Sequence, residues 1–312
     1  MKYWLATIII SLSISFTSCG QTQNTSPVSL IVLGTVQDGG SPHIGCKRDC
    51  CKALFANPDK TRQVVSLGVI DHENKRSFMF EATPDMTAQM KALRNFSGLN
   101  KETPDGIFLT HAHIGHYTGL MYLGREALGG NHVPVYAMPK MKSFLETNGP
   151  WSQLVTLGNI DIKAMEHQNQ IPITSNLTVI PFKVPHRDEF SETVGFKILG
   201  PNKSVLFIPD IDKWAKWETS IRSEIKKVDY AFLDASFFDA EEINNRDIAE
   251  IPHPFVIESM ELFKSLSKAD KAKIHFIHFN HTNPLLLNDS EASRTVLSEG
   301  YHISKFQQVI GL

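Results

Sequence analysis

Apolar residues along this chain come in short blocks separated by polar turns. Ser29 to Thr35 (SLIVLGT) is a β-rich run that feeds the turn-rich segment Gln37 to Gly45, and it predicts a core strand opening into a loop. Ser66 to Asp71 and Ser77 to Glu81 flank the polar turn His72-Glu73-Asn74-Lys75, the pattern of a hairpin. Thr83-Pro84-Asp85 predicts a helix start, with Thr83 as cap and Pro84 at the first position, and the helix runs to about Phe96. Ile107 to Thr110 is a buried strand that stops at His111. Gly119 to Leu128 then predicts a helix, Pro134 to Ala137 a strand and Pro139 to Asn148 a second Pro-initiated helix.

The second half has the same style. Strands are predicted near Ile160 to Met165, Leu177 to Phe182, Thr193 to Leu199, Ser204 to Ile208, Tyr230 to Leu233 and Lys273 to Phe279, and helices at Trp214 to Lys227 and Pro254 to Ser267. Two halves, each a strand meander followed by helices, predict two sheets packed face to face between helical layers. That is a four-layer αββα sandwich of the mixed α/β (α+β) class. The halves share no fixed sequence period, which argues against a repeat array.

Composition narrows this little. The chain has 312 residues, 42% hydrophobic and 21% charged, enough for one catalytic domain, expected over residues 29–312. A formal net charge of -2 with no long basic run gives nucleic acid no electrostatic pull, so the expected partner is a small-molecule substrate.

The first residues read as a leader. Lys2 supplies a positive start, Trp4 to Phe16 is apolar, and small Thr17 and Ser18 precede Cys19, which predicts a signal peptide over 1–19. The run falls short of the roughly 20 residues that span a bilayer. Phe16-Thr17-Ser18-Cys19 resembles a bacterial lipobox, with Phe16 where Leu is usual, and implies lipidation at Cys19. The alternative is cleavage nearby without lipid. Residues 20–28, rich in Gln, Asn, Ser and Thr, would be a tether, and the protein would be exported to the periplasm or cell surface and touch the membrane only through the lipid.

Three further cysteines cluster at Cys46, Cys50 and Cys51, and neighbours Cys50 and Cys51 cannot easily pair with each other. A metal site explains three clustered thiols better than a disulfide framework. The alternative, one bridge from Cys46 to Cys50 or Cys51 with a spare thiol, suits an oxidising compartment.

Thr110-His111-Ala112-His113-Ile114-Gly115-His116 carries the most chemistry. Directly after an apolar strand, it lets His111 and His113 share one ion while His116 turns toward another. His186, Asp210 and His278 stand at the ends of later strands. Zinc favours imidazoles with one carboxylate, and a catalytic site keeps a position open for water.

This order of motifs resembles the metallo-β-lactamase-fold superfamily, whose signature is H-x-H-x-D-H followed by a later His, an Asp and a final His; the likeness runs from about Ser29 to the end. The resemblance implies a first metal at His111, His113 and His186, a second at His116 and His278, and a bridging Asp210 that also orients the catalytic water. One position departs: Gly115 stands where the family has a metal-binding Asp. The expectation is then one tightly held zinc, with the second ion weak, absent or of another element, unless another carboxylate stands in. Asp38 is the first candidate, with Asp212 and Asp85 behind it; otherwise Asp38 is a turn residue capping its own loop.

Within the superfamily, Gly45-Cys46-Lys47-Arg48-Asp49-Cys50-Cys51 and Phe276 to Pro284 resemble the branch of the pyrroloquinoline quinone biosynthesis protein B and the phosphonate-pathway cyclic phosphodiesterase. That likeness implies a separate structural zinc at Cys46, Cys50, Cys51 and His281, although the branch's C-x-C-x-x-C spacing is altered here. Glu81 is expected to order the histidine loop by a hydrogen bond. His253 and His43 either face the cleft or are ordinary surface, and Arg187 meets an anionic group or pairs with Asp188 or Glu189.

The implied activity is metal-dependent hydrolysis of an ester, lactone, amide or phosphodiester, with nothing favouring a β-lactam. Two other readings stand beside it. Three histidines and a carboxylate also hold iron, which points to an oxidative enzyme related to quinone-cofactor maturation. Loss of the motif Asp points to a catalytically inactive tethered binding protein.

Overall fold

The computed structural model describes residues 26–243 and 251–312. The leader, Cys19 and most of the tether lie outside the described residues. Val28, assigned by sequence to the tether, already belongs to the domain: it opens the first strand opposite Asp71, and the Ser26 hydroxyl donates to the Leu312 carbonyl.

Among the described residues, fourteen strands form two seven-stranded sheets. The first contains β1 (Val28–Gly34), β2 (Ser66–Asp71), β3 (Arg76–Phe80), β4 (Gly106–Phe108), β5 (Val133–Ala137) and β6 (Ile160–Ala164). The second contains β7 (Ile171–Pro172), β8 (Thr178–Lys183), β9 (Val194–Leu199), β10 (Ser204–Ile208), β11 (Tyr230–Asp234), β12 (Ile274–Ile277) and β13 (His302–Ile303). The last strand, β14 (Val309–Gly311), returns to the first sheet beside β1.

Alternation explains the layers. Leu30, Val32, Leu67 and Val69 join Phe196, Val205, Phe207 and Phe232 in a core between the sheets. The intervening Ile31, Leu33 and Ile70 face outward onto α2 (Met86–Ser97), α4 (Pro139–Thr147) and α5 (Trp151–Thr156), meeting Met86, Leu93, Met141, Leu145 and Leu154. On the other side, Leu206, Ile208, Ala231 and Leu233 face α6 (Ile221–Lys226), α7 (Val256–Phe263) and α9 (Glu291–Ser298). Strands buried on both faces read as continuous apolar runs, as these do. Three interlayer cores make the αββα sandwich expected from sequence. Phe80 is fully buried and packs against Phe108, Phe196 and Phe207, so Phe80→Ala should cost about 3–5 kcal/mol.

Several predicted boundaries move. The helix expected from Thr83 begins at Met86, because the Thr83 hydroxyl accepts from Asp85 N–H (3.0 Å) and donates to Gln89 (2.7 Å), while the Asp85 carboxylate turns to Val64 N–H. The helix expected over Gly119 to Leu128 is only a 3₁₀ turn, Thr118–Leu123. The long helix expected from Trp214 is a 3₁₀ turn followed separately by α6, because the Trp217 indole donates to the Lys183 carbonyl. The helix expected over Pro254 to Ser267 is α7, which spans Val256–Phe263. Among the described residues five helices went unpredicted: α1 (Asp49–Ala56), α3 (Ile114–Tyr117), α5, α8 (Lys268–Lys271) and α9, each eight residues or shorter.

β3, β4, β5 and β6 run parallel, as do β10, β11, β12 and β13, so their C-terminal ends come together at one edge of the sandwich. The chemistry-bearing residues follow those ends.

Candidate metal centre

His111 follows β4, Asp210 follows β10, Asp234 ends β11 and His278 follows β12. His278 has φ 69° and Glu81, after β3, has φ 78°; non-glycine residues hold this left-handed backbone only where their surroundings over-determine it. Here it turns both side chains off the sheet edge into one polar cluster. The histidine loop is clamped to the end of β3 by Ala82 N–H to His116 carbonyl and Gly119 N–H to Ala82 carbonyl, both 2.9 Å. A Cβ on Gly119 would lie 2.1 Å from the Thr83 carbonyl oxygen, so this approach requires glycine.

Asp210 is the hub. It is 2% exposed, and nitrogens of His111, His116, His186, His253 and His278 lie within 3.6 Å of its carboxylate. Three overlapping donor sets share it, one of them pairing it with Asp234, His253 and His278. His111, His113, His186 and Asp210 form another, and Asp38, His116, Asp210 and His278 the third, with the donor atoms of each set within 4.8 Å of one another. All six histidine and aspartate positions assigned to the centre from sequence are therefore brought together.

Other contacts orient these donors. Asp234, fully buried, accepts from Ser236 N–H (2.9 Å), Ser236 Oγ (2.8 Å), Ile211 N–H (3.1 Å) and His253 Nδ1 (2.8 Å). Because Ser236 donates to Asp234, it accepts from His278 Nδ1 (2.8 Å), which leaves His278 Nε2 facing Asp38 and Asp210. Glu81 lies 3.4 Å from His116 Nδ1 without a hydrogen bond to it, and accepts weakly from Thr110 N–H at 3.5 Å. His113 donates to Glu189 (3.2 Å), and Ser191 receives Ala112 N–H (2.8 Å), tying the loop after His186 to the histidine loop.

Sequence reasoning missed Asp234, Ser236, Glu189 and Ser191. A signal for Asp234 was present: YAFLD ends an apolar strand in an acid just as SVLFIPD does at Asp210. His253 is cluster, not surface, at 7% exposure. The reserve carboxylates are employed elsewhere: Asp85 on Val64, and Asp212 on Lys216 at 2.7 Å.

The electrostatics divide the cluster. Burial, with His116 beside it, holds His111 well below its usual pKa, and burial pulls His186 down to about 4, so both imidazoles are neutral and free to ligate. Burial also opposes charge on His116, His253 and His278, but carboxylates overcome it. Asp38 raises His116, Asp234 raises His253, and Asp210 lifts His278 to about 10. Burial disfavours ionised Asp38, Asp210 and Asp234 as well, and the histidines overcome it and hold all three below the ordinary range.

The donor set fits a divalent cation. His186 has both ring nitrogens buried without a hydrogen-bond partner, and Asp210 Oδ1 is likewise unpaired; such groups are costly unless something satisfies them.

A second cluster lies beyond His278. Cys46, Cys50, Cys51 and His281 keep their donor atoms within 4.8 Å of one another, and the thiols are free. The Sγ separations are 3.7 Å for Cys46 to Cys50 and 4.0 Å for Cys50 to Cys51. Tetrahedral thiolates at about 2.3 Å from zinc stand roughly 3.8 Å apart, so this fits a closed ion site and not a disulfide. His281 Nδ1 donates to Asn280 (3.0 Å), leaving Nε2 as acceptor, and burial brings its pKa down to about 4. Burial and the neighbouring thiols push Cys50 up to about 12. His43 stacks on His281 at 4.5 Å.

Comparison with known proteins agrees with this picture. Coenzyme PQQ synthesis protein B of Methylorubrum extorquens is 22% identical over 296 residues, spanning 88% of this chain and 97% of that protein. The protein of the same name from Gluconobacter oxydans is 25% identical over 297 residues, with 89% and 96% covered. The fold is similar to that of Zn(2+)-bound PqqB from Methylobacterium extorquens, with TM-score 0.72, 20% identity, and 91% and 100% of the two chains covered. It is also similar to a diphosphatase of the PhnP family, with TM-score 0.62, 21% identity, and 91% and 96% covered. Residues 76–279 match the family described as the beta-lactamase superfamily domain. On that match, the two-sheet fold and the order of its donors, the chain belongs to the metallo-β-lactamase-fold superfamily.

Proposed function

We propose that this protein is a zinc-dependent hydrolase of a small ester, lactone, amide or phosphodiester. The observation that carries the reading is His186: a fully buried imidazole with neither nitrogen satisfied, facing His111, His113 and Asp210. When bound, a divalent ion there supplies Lewis acidity, lowering the pKa of water from about 15.7 toward 7. His111, His113 and His186 would hold it. Asp210, ionised at neutral pH and central to the cluster, would orient that water by accepting a hydrogen bond from it. His253, whose pKa Asp234 and Asp210 raise and whose ring lies 5.4 Å from that of His186, is placed to protonate a leaving oxygen.

Support for zinc comes from the donor chemistry and from the Zn(2+)-bound relative. The test is a panel of chromogenic phosphodiester, ester, lactone and β-lactam substrates with zinc-loaded protein and with His113→Ala. Turnover that needs zinc and falls in the variant supports the reading; undiminished turnover in His113→Ala refutes it.

An oxidative iron enzyme is the second reading, favoured by relatives named for coenzyme PQQ synthesis and by a donor set that suits iron as well. Iron as the resident ion, with oxygen consumed during turnover, would select it. The cysteine cluster is proposed to hold a structural zinc. Export and lipidation at Cys19 are proposed on Lys2 and the apolar stretch to Phe16; the intact mass of the protein purified from membranes tests them.

A further inference from the structure

The family's motif places a carboxylate on the histidine loop, and this chain has Gly115 there. We propose that Asp38, from the loop after β1, supplies that carboxylate instead, so that a second divalent ion is held by Asp38, His116, His278 and Asp210. Gly115 is bare because Asp38 occupies its side-chain space.

Three observations carry this. First, a Cβ built on Gly115 would lie 2.7 Å from each of Asp38 Cα, Cγ and Oδ1. A side chain at 115 and the carboxylate of Asp38 therefore compete for one volume, and the structure fills it from the other loop. Second, Asp38 Oδ1 stands 2.9 Å from His116 Nε2 and 3.3 Å from His278 Nε2, and its donor atom belongs to the same set as Asp210. Third, the Asp38 loop is fastened to the strand that carries His278. Gln37 N–H donates to the Phe279 carbonyl (2.9 Å), Phe279 N–H donates to the Thr35 carbonyl (2.8 Å), and Val36 bridges both Val64 and Phe279. A residue merely capping its own turn needs no such anchorage; Asp38 is fixed relative to His278 as a ligand must be. The swap also restores charge: Asp38 and Asp210 together match a divalent ion, where Asp210 alone would leave it half neutralised.

This inference rests on the metallohydrolase reading, and the test separates the two. The full chain is titrated with zinc against a chromogenic chelator, in wild type, Asp38→Asn and the double variant Asp38→Gly/Gly115→Asp. The expected result is that Asp38→Asn weakens one ion at least about 10-fold and leaves the others unchanged, and that the double variant regains it. Gly115→Asp alone should lose the same ion through the clash with Asp38. Wild-type binding in Asp38→Asn overturns the inference while leaving the ion at His111, His113 and His186 intact; absence of any ion in the wild-type centre overturns the hydrolase reading too. Should Asp38→Asn fail to fold, anomalous diffraction from zinc-loaded wild type decides: an ion about 2.0–2.2 Å from an Asp38 oxygen is expected, and an ion bound without Asp38 contradicts it.

Discussion

The histidine–carboxylate centre and the cysteine cluster lie three residues apart along the chain, from His278 to His281, yet they are built on opposite plans. The first hangs its donors on the ends of core strands and leaves His186 unsatisfied. The second gathers three thiols from a loop and the short helix α1 around one imidazole, four donors with no fifth position. An open, strand-mounted site can exchange a ligand; a closed, loop-mounted one can only tie segments together. The first should serve chemistry, and the second stability.

The sharpest way to break that division is to damage each site alone. His113→Ala should reduce hydrolysis about 100-fold or more while shifting the melting temperature by only a few degrees, measured by initial rates and calorimetry. Cys51→Ser, at a fully buried thiol, should do the reverse. It is expected to cost about 3 kcal/mol, lowering the melting temperature by on the order of 10 °C, with activity at low temperature retained. Equal loss of activity and stability in both variants would end the distinction.

Within the centre, His253→Gln tests which histidines bind and which move protons. It should leave metal content unchanged and lower kcat about 10- to 100-fold, with the alkaline limb of the rate profile lost. Loss of metal would reassign His253 as a ligand.

The smallest effect lies outside both sites. His275, stacked between Phe232 and His302, is driven down to about 3 by burial, so the folded protein keeps it neutral. The unfolded chain takes up that proton near pH 6.5, and stability should fall by up to about 1.4 kcal/mol per pH unit as pH drops from there toward 3. In His275→Phe, chemical denaturation at pH 7 and pH 5 should show that part of the acid sensitivity removed.

Much of this was legible before the fold was known, for a physical reason. His111, Asp210 and His278 each follow an apolar strand directly, so period and position announced both the strand and the donor at its end. The sandwich followed from runs such as Ser29 to Thr35 that are apolar on both faces. What stayed hidden depends on pairing in space. Asp234 looked like any acid closing a strand until its carboxylate was seen to gather Ser236, Ile211 and His253. Helix limits moved where side chains, as at Thr83 and Trp217, bonded across elements. Asp38 was named as a stand-in for the missing carboxylate, but only geometry shows that it and a side chain at Gly115 exclude one another.

The most direct measurement is elemental analysis of the purified full-length protein, comparing wild type, His113→Ala and Cys51→Ser. The account predicts zinc in the wild type, with one portion lost in His113→Ala and a different portion lost in Cys51→Ser. Metal content that is the same in wild type and His113→Ala would contradict it.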